Sequence, residues 1–118
     1  MLMGMFSVVR MPEPLACPKC GESGTWKAQF KFGALDLVEY RVGQRLDWDY
    51  AWDVEGERGH HRVVAQGVLE GCPHCHAHGF EEPWDLVVIE IVDDVIVSAV
   101  QDTSGEGWWA DEWRVLKD

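Results

Sequence analysis

Residues 25–32 read Thr-Trp-Lys-Ala-Gln-Phe-Lys-Phe, with Trp26, Ala28, Phe30 and Phe32 at every second position and Thr25, Lys27, Gln29 and Lys31 between them. Successive side chains of an extended chain point to opposite faces, so this stretch has one apolar and one polar side and predicts a half-buried strand. Downstream, Gly33 interrupts it, and a weaker strand is expected from Leu37 to Val42. A third runs from Arg62 to Glu70, after Gly59. Residues 86–92 and 95–100 are β-branched runs joined at Asp93-Asp94, which reads as a hairpin. Their nearly continuous apolarity places both strands in the middle of the sheet. Upstream, the apolar start MLMGMFSVVR predicts an N-terminal strand, and Pro12, Pro14 and Pro18 keep residues 11–18 extended or turned. Only the tail departs from a period of two. Trp109, Trp113 and Leu116 fall at i, i+4 and i+7 and predict a short amphipathic C-terminal helix. The expected class is all-β, an antiparallel sheet in a single domain over residues 1–118.

The four cysteines form two CxxC pairs, Cys17-Pro18-Lys19-Cys20-Gly21 and Cys72-Pro73-His74-Cys75-His76, with none left over. The turn between two such cysteines aims both sulfurs inward, and its backbone N–H groups point at them. Two turns together supply the tetrahedron of thiolates that Zn²⁺ prefers, so Cys17, Cys20, Cys72 and Cys75 are the candidate ligands of one structural zinc ion. Proline after the first cysteine presets φ for the turn, and Gly21 permits the left-handed conformation that often closes it. His74, His76 and His78 alternate around the second pair, and His60 and His61 precede the strand leading to it. With four thiolates completing the shell, these histidines are expected to be solvated or bonded to nearby carbonyls. Glu70 and Glu90 are expected to face solvent or to pair with Arg62.

The pair CPKCG and CPHCH resembles the two knuckles of the zinc-ribbon and rubredoxin-like superfamily. The likeness covers only those residues and implies a metal site, not an activity. His76 stands where the second knuckle of that superfamily usually has glycine, and the 51 residues from 21 to 71 separate the knuckles further than a compact ribbon does. The zinc repeats of J-protein chaperones carry another glycine, at positions held here by Glu22 and Ala77, and come in four copies, which sets that family aside. An iron ion in the same four thiolates would make a one-electron carrier, as in rubredoxin-like proteins, which are shorter.

The formal net charge is −11. Residues 1–45 contribute +2, from six Lys/Arg and four Asp/Glu, and residues 46–118 contribute −13, from four and 17. Such a field repels phosphate backbones and favours a basic protein partner, so nucleic acid is disfavoured. No Gly-rich phosphate loop, HExxH or nucleophile elbow occurs, and catalysis is not expected. The apolar start is too short to span a bilayer and lacks the charge of a signal peptide, so no membrane association and a cytoplasmic location are expected.

Two acid-aromatic stretches exceed what a fold needs: LDWDYAWDVEGE at 46–57 and GEGWWADEW at 105–113. Either the tryptophans join the core while the acids face water, or they form a surface for a basic partner. The second reading nominates Asp47, Trp48, Asp49, Trp52 and Asp53 together with Trp108 and Trp109, and leaves room for a homodimer. Acidity and the double CxxC resemble some bacterial immunity or antitoxin proteins that neutralise nuclease toxins, which implies an inhibitor-type binding module. The contrasting expectation is a zinc-ribbon accessory factor of the transcription or translation machinery. It would act through Lys19, Lys27, Lys31, Arg41 and Arg45.

Overall fold

The computed structural model describes residues 6–35, 38–49 and 53–117, except the side chain of Asp53. Trp52 lies outside the described residues. Eleven strands follow one another: β1 (Ser7–Arg10), β2 (Leu15–Ala16), β3 (Ser23–Gly24), β4 (Lys27–Phe30), β5 (Gly33–Leu35), β6 (Glu39–Arg41), β7 (Asp53–Glu55), β8 (Arg62–Leu69), β9 (Leu86–Val92), β10 (Val95–Gln101) and β11 (Trp113–Val115). There is no helix among the described residues, and none that could cross a membrane. The class is all-β.

The alternation at 25–32 does what period two requires. Trp26, Ala28, Phe30 and Phe32 are all at most 2% exposed, while Thr25 is exposed and Lys27, Gln29 and Lys31 are half-buried. Burying a side chain of this size is worth about 1.5–3 kcal/mol, so this one apolar face is a main contributor to the core. It meets Val9, Val63, Ala65, Leu69, Val87, Ile89, Ile91 and Ile96.

The main sheet runs β10-β9-β8-β4-β1-β6. Its neighbours are antiparallel except β1 and β6, which pair in parallel with Val9 opposite Tyr40. β8 is the axis of the sheet. One edge pairs along its whole length with β9, from Arg62↔Val92 to Val68↔Leu86. The other edge is divided: residues 67–69 take β4 and residues 63–65 take β11. Gly67 makes the β4 contact feasible, because a Cβ there would stand 2.7 Å from the Gln29 carbonyl oxygen. That oxygen belongs to backbone and cannot step aside.

Two sequence expectations are corrected. First, the tail forms β11 and not a helix. Where β4 leaves β8, the backbone groups of Val63 to Ala65 need partners, and Trp113 to Val115 supply them. The i, i+4, i+7 apolar spacing is satisfied differently: Trp113 stacks edgewise on Phe32 at 5.5 Å, and Trp109 is buried four residues earlier. Second, only β9 of the hairpin lies inside the sheet. β10 ends it, and its Val97 and Val100 are 43% and 53% exposed. A continuous apolar run reports buried neighbours along the strand, and here Val97 and Val100 face outward instead.

Candidate metal centre

The two knuckles meet because the strands attached to them are paired. β4 leaves the first knuckle and β8 enters the second, and their antiparallel register (Ala28↔Leu69) brings both turns to one end of the sheet. The Glu70 N–H extends that ladder by donating to the Lys27 carbonyl at 2.9 Å. The 51-residue separation in sequence is thus taken up by strands β4 to β8, and the knuckles are adjacent in space.

Each knuckle closes with the same two backbone bonds. In the first, Cys17 N–H donates to the Glu22 carbonyl (2.9 Å) and Gly21 N–H to the Cys17 carbonyl (2.8 Å). In the second, Cys72 N–H donates to the Ala77 carbonyl (2.9 Å) and His76 N–H to the Cys72 carbonyl (3.0 Å). Gly21 has φ +78° and His76 has φ +62°. Histidine therefore adopts the left-handed turn that glycine adopts in the other copy, at the steric cost a Cβ brings there. The two-residue sheet of β2 and β3 (Leu15↔Gly24) braces the first knuckle.

The four sulfurs lie within 4.8 Å of one another. Cys17 Sγ is 3.9 Å from Cys75 Sγ, and Cys20 Sγ is 3.7 Å from Cys72 Sγ. A regular tetrahedron of sulfurs at about 2.3 Å from its centre has edges of about 3.8 Å, so the cluster has the dimensions of a tetrathiolate metal site. Cys17 and Cys72 are buried, at 1% and 2% exposure, while Cys20 and Cys75 face out. Lys19 N–H points at Cys17 Sγ (3.3 Å), and His74 and Cys75 N–H groups point at Cys72 Sγ (3.3 and 3.4 Å).

Electrostatics inside the cluster are opposed. Burial disfavours the Cys72 thiolate, yet the Cys75 and His74 N–H groups and the Cys20 and Cys75 thiols lower its pKa to about 6. At Cys20 the backbone hydrogen bond from Glu22 favours the thiolate, but burial and the three neighbouring cysteines push the pKa up to about 12. Four thiolates in this space need a cation to coexist, and a metal ion is the cation their geometry fits. The residues present can hold a metal ion.

The histidines sit outside the cluster, as expected. His74 Nε2 is 3.0 Å from the Ser23 carbonyl, tying the second knuckle to β3, and His78 Nε2 is 2.9 Å from Asp85 Oδ2. His60 and His61 pair with Glu57 and Asp93. Glu90 bridges to Arg62 at 2.9 Å, and Glu70 accepts from Gln29 at 3.1 Å, so the strand acids are structural partners.

The residues nominated for a partner surface divide. Asp47 and Asp49 are exposed, with Asp49 N–H donating to Asp47 Oδ1. Trp48 is half-buried and packs edgewise on Phe32 at 5.2 Å, so much of its surface belongs to the core. Trp108 is 47% exposed. Trp109 is corrected to a core residue: it is 8% exposed, its backbone N–H donates to Gln66 Oε1 at 2.8 Å, and the Arg114 guanidinium lies 4.2 Å over its ring. Gln66 also donates to the Gly107 carbonyl, so one buried amide clamps the tail on the sheet. Trp52 and the Asp53 side chain lie outside the described residues. Sequence reading missed Trp84, 44% exposed in the turn Glu81-Glu82-Pro83-Trp84. A tryptophan among acids and proline with no apolar periodicity around it was the available signal.

No known protein family, no curated protein and no solved structure matches the chain significantly.

Proposed function

We propose that this is a small acidic binding protein in which one structural zinc ion staples a β scaffold, and that it acts as an inhibitor or immunity-type module for a basic protein partner in the cytoplasm. Binding, not catalysis, is its activity. The observation that carries this reading is the −13 balance of residues 46–118 alongside the exposed Trp108. Large aromatics supply contact area, and surrounding carboxylates speed encounter with a cationic surface and repel acidic competitors. A closed four-sulfur shell leaves no position for a substrate water, which suits a structural ion.

The accessory-factor reading needs free cations on the polar side of residues 25–32, on and beside β4. Lys27 Nζ is instead 2.9 Å from Glu39 Oε1, and Arg10 is 2.8 Å from the other oxygen of the same carboxylate. That carboxylate offsets part of the basic face on which nucleic-acid contact would depend.

The test is elemental analysis of the purified protein joined to affinity capture from its native extract. One zinc per chain, and a basic protein whose complex survives added nucleic acid and whose activity falls on binding, is the expected result. Iron in place of zinc would favour an electron carrier. Salt-sensitive capture of polymerase or ribosomal proteins, abolished by Lys27→Glu with Lys31→Glu, would favour the accessory factor.

A further inference from the structure

The sheet ends at β10, and that edge is covered along only part of its length. Ile96 turns its backbone outward and is paired there: its N–H donates to the Gln44 carbonyl at 3.0 Å and its carbonyl accepts from Gly43 N–H at 2.7 Å. A bulge between Ile96 and Ser98 then shifts the register against β9. Asp102 N–H donates inward to the Leu86 carbonyl at 2.8 Å. The alternation of an antiparallel ladder therefore turns the backbone groups of Ala99 and Gln101 away from β9. Among the described residues, no backbone group pairs with them.

Open edges are normally blunted by charge, proline or a covering loop. Here the exposed side chains along the open part are Val97 and Val100, apolar and β-branched. At its end lies a cleft of about 380 Å³ lined by Phe80, Trp84, Gln101 and Lys19 among others. Gln101 Nε2 donates to the Trp84 carbonyl at 2.7 Å, so strand edge and cleft are continuous. This is the form that receives an added strand, with backbone bonds for affinity and a pocket for a side chain.

Charge selects the occupant. Residues 63–113 contain eleven Asp/Glu and no Lys or Arg. Glu81 and Glu82, beside Trp84, are exposed. A second copy of this chain would bring two bodies of net charge −11 together, whereas a cationic segment meets a complementary field.

We infer that the β10 edge at Ala99–Gln101, with the Trp84 cleft at its end, binds an extended Lys/Arg-bearing segment of a protein partner by strand addition. The inference rests on the basic-partner reading above and moves the contact away from the 47–53 segment.

The test titrates the isotopically labelled, metal-loaded full chain with a synthetic peptide of alternating Lys and Val, about six residues long, the usual length of a strand. Expected are shifts and slowed exchange of the Ala99 and Gln101 amides, and about tenfold weaker binding when alternate peptide nitrogens are methylated. Val100→Lys weakens binding by a similar factor with unchanged thermal unfolding. Shifts confined to residues 47–49 and 108, indifferent to methylation, overturn the edge site while leaving a basic partner in place. A Glu-Val peptide binding as tightly as Lys-Val overturns the charge argument. Self-association abolished by Val100→Lys reassigns the edge to a second copy. No binding of Lys-Val overturns the strand-addition site. If capture of a basic protein also fails, the functional reading falls with it.

Discussion

The two knuckles differ in sequence at the position that closes the turn, yet they fold alike. Gly21 and His76 share a left-handed backbone, and each N–H donates to the carbonyl of its first cysteine, at 2.8 and 3.0 Å. The difference teaches which demand is stronger. Glycine occupies that conformation freely, whereas histidine does so against its own preference. The surrounding bonds, and the need to aim two sulfurs at a common centre, hold the second turn in place. The second knuckle is accordingly the more strained of the two, and the first is the more tolerant of its own sequence.

The largest loss is expected at the sulfurs. Cys17→Ser or Cys72→Ser is expected to abolish stoichiometric metal binding and to lower stability by several kcal/mol, because metal binding and folding are coupled. Metal analysis with denaturant unfolding checks this. The exposed Cys20 and Cys75 should cost less when changed to serine, since the new hydroxyl can reach water.

Gly67→Ala attacks the juxtaposition of the knuckles. It is expected to cost about 1–3 kcal/mol by forcing β4 away from β8, and to weaken metal affinity as the knuckles separate. Metal competition against a chromophoric chelator reads the second effect. A variant with unchanged affinity would show that the knuckles find each other without that strand pairing.

Substitutions at the two turn residues act with opposite signs. Gly21→Ala should destabilise by about 1–2 kcal/mol, the cost of a Cβ in the left-handed region. His76→Gly should be neutral or stabilising by less than about 1 kcal/mol, because relief of strain is partly offset by the freedom glycine adds to the unfolded chain. Parallel thermal melts of the two variants settle the signs.

The smallest effect lies outside both knuckles. Hydrogen bonds from Lys27 and then Arg10 lower the Glu39 pKa below the ordinary glutamate value. A lowered folded-state pKa contributes stability that is present above the unfolded value and is lost as pH falls through the folded one. Glu39→Gln should therefore flatten the acid limb of the stability curve slightly and leave the neutral-pH metal content unchanged. All three side chains are more than a third exposed, so the effect is small.

Local patterns were the legible part of the sequence. The alternation at 25–32, the strand entering the second knuckle and the β9–β10 hairpin need only neighbouring residues to be recognised, and all three are present. The sulfur cluster was legible because ligand spacing is a property of each turn separately. Pairings between distant segments were not. Nothing local distinguishes an inner apolar strand from an edge one, so the exposure of Val97 and Val100 escaped notice. The fate of Trp109 depends on Gln66, which is 43 residues away and whose side-chain amide bonds the Trp109 backbone N–H and the Gly107 carbonyl. Of the three apolar residues at helical spacing only Trp113 lies in β11, and that strand forms because β8 offers a free edge, which no local pattern reveals.

The four sulfurs of both knuckles are placed to hold one metal ion. X-ray absorption at the edge of the bound metal, on protein purified with its native ion, tests it most directly. Four sulfur scatterers at about 2.3 Å, with one ion per chain, are predicted. A shell containing nitrogen or oxygen, or metal-free protein with its cysteines in disulfides, would contradict it.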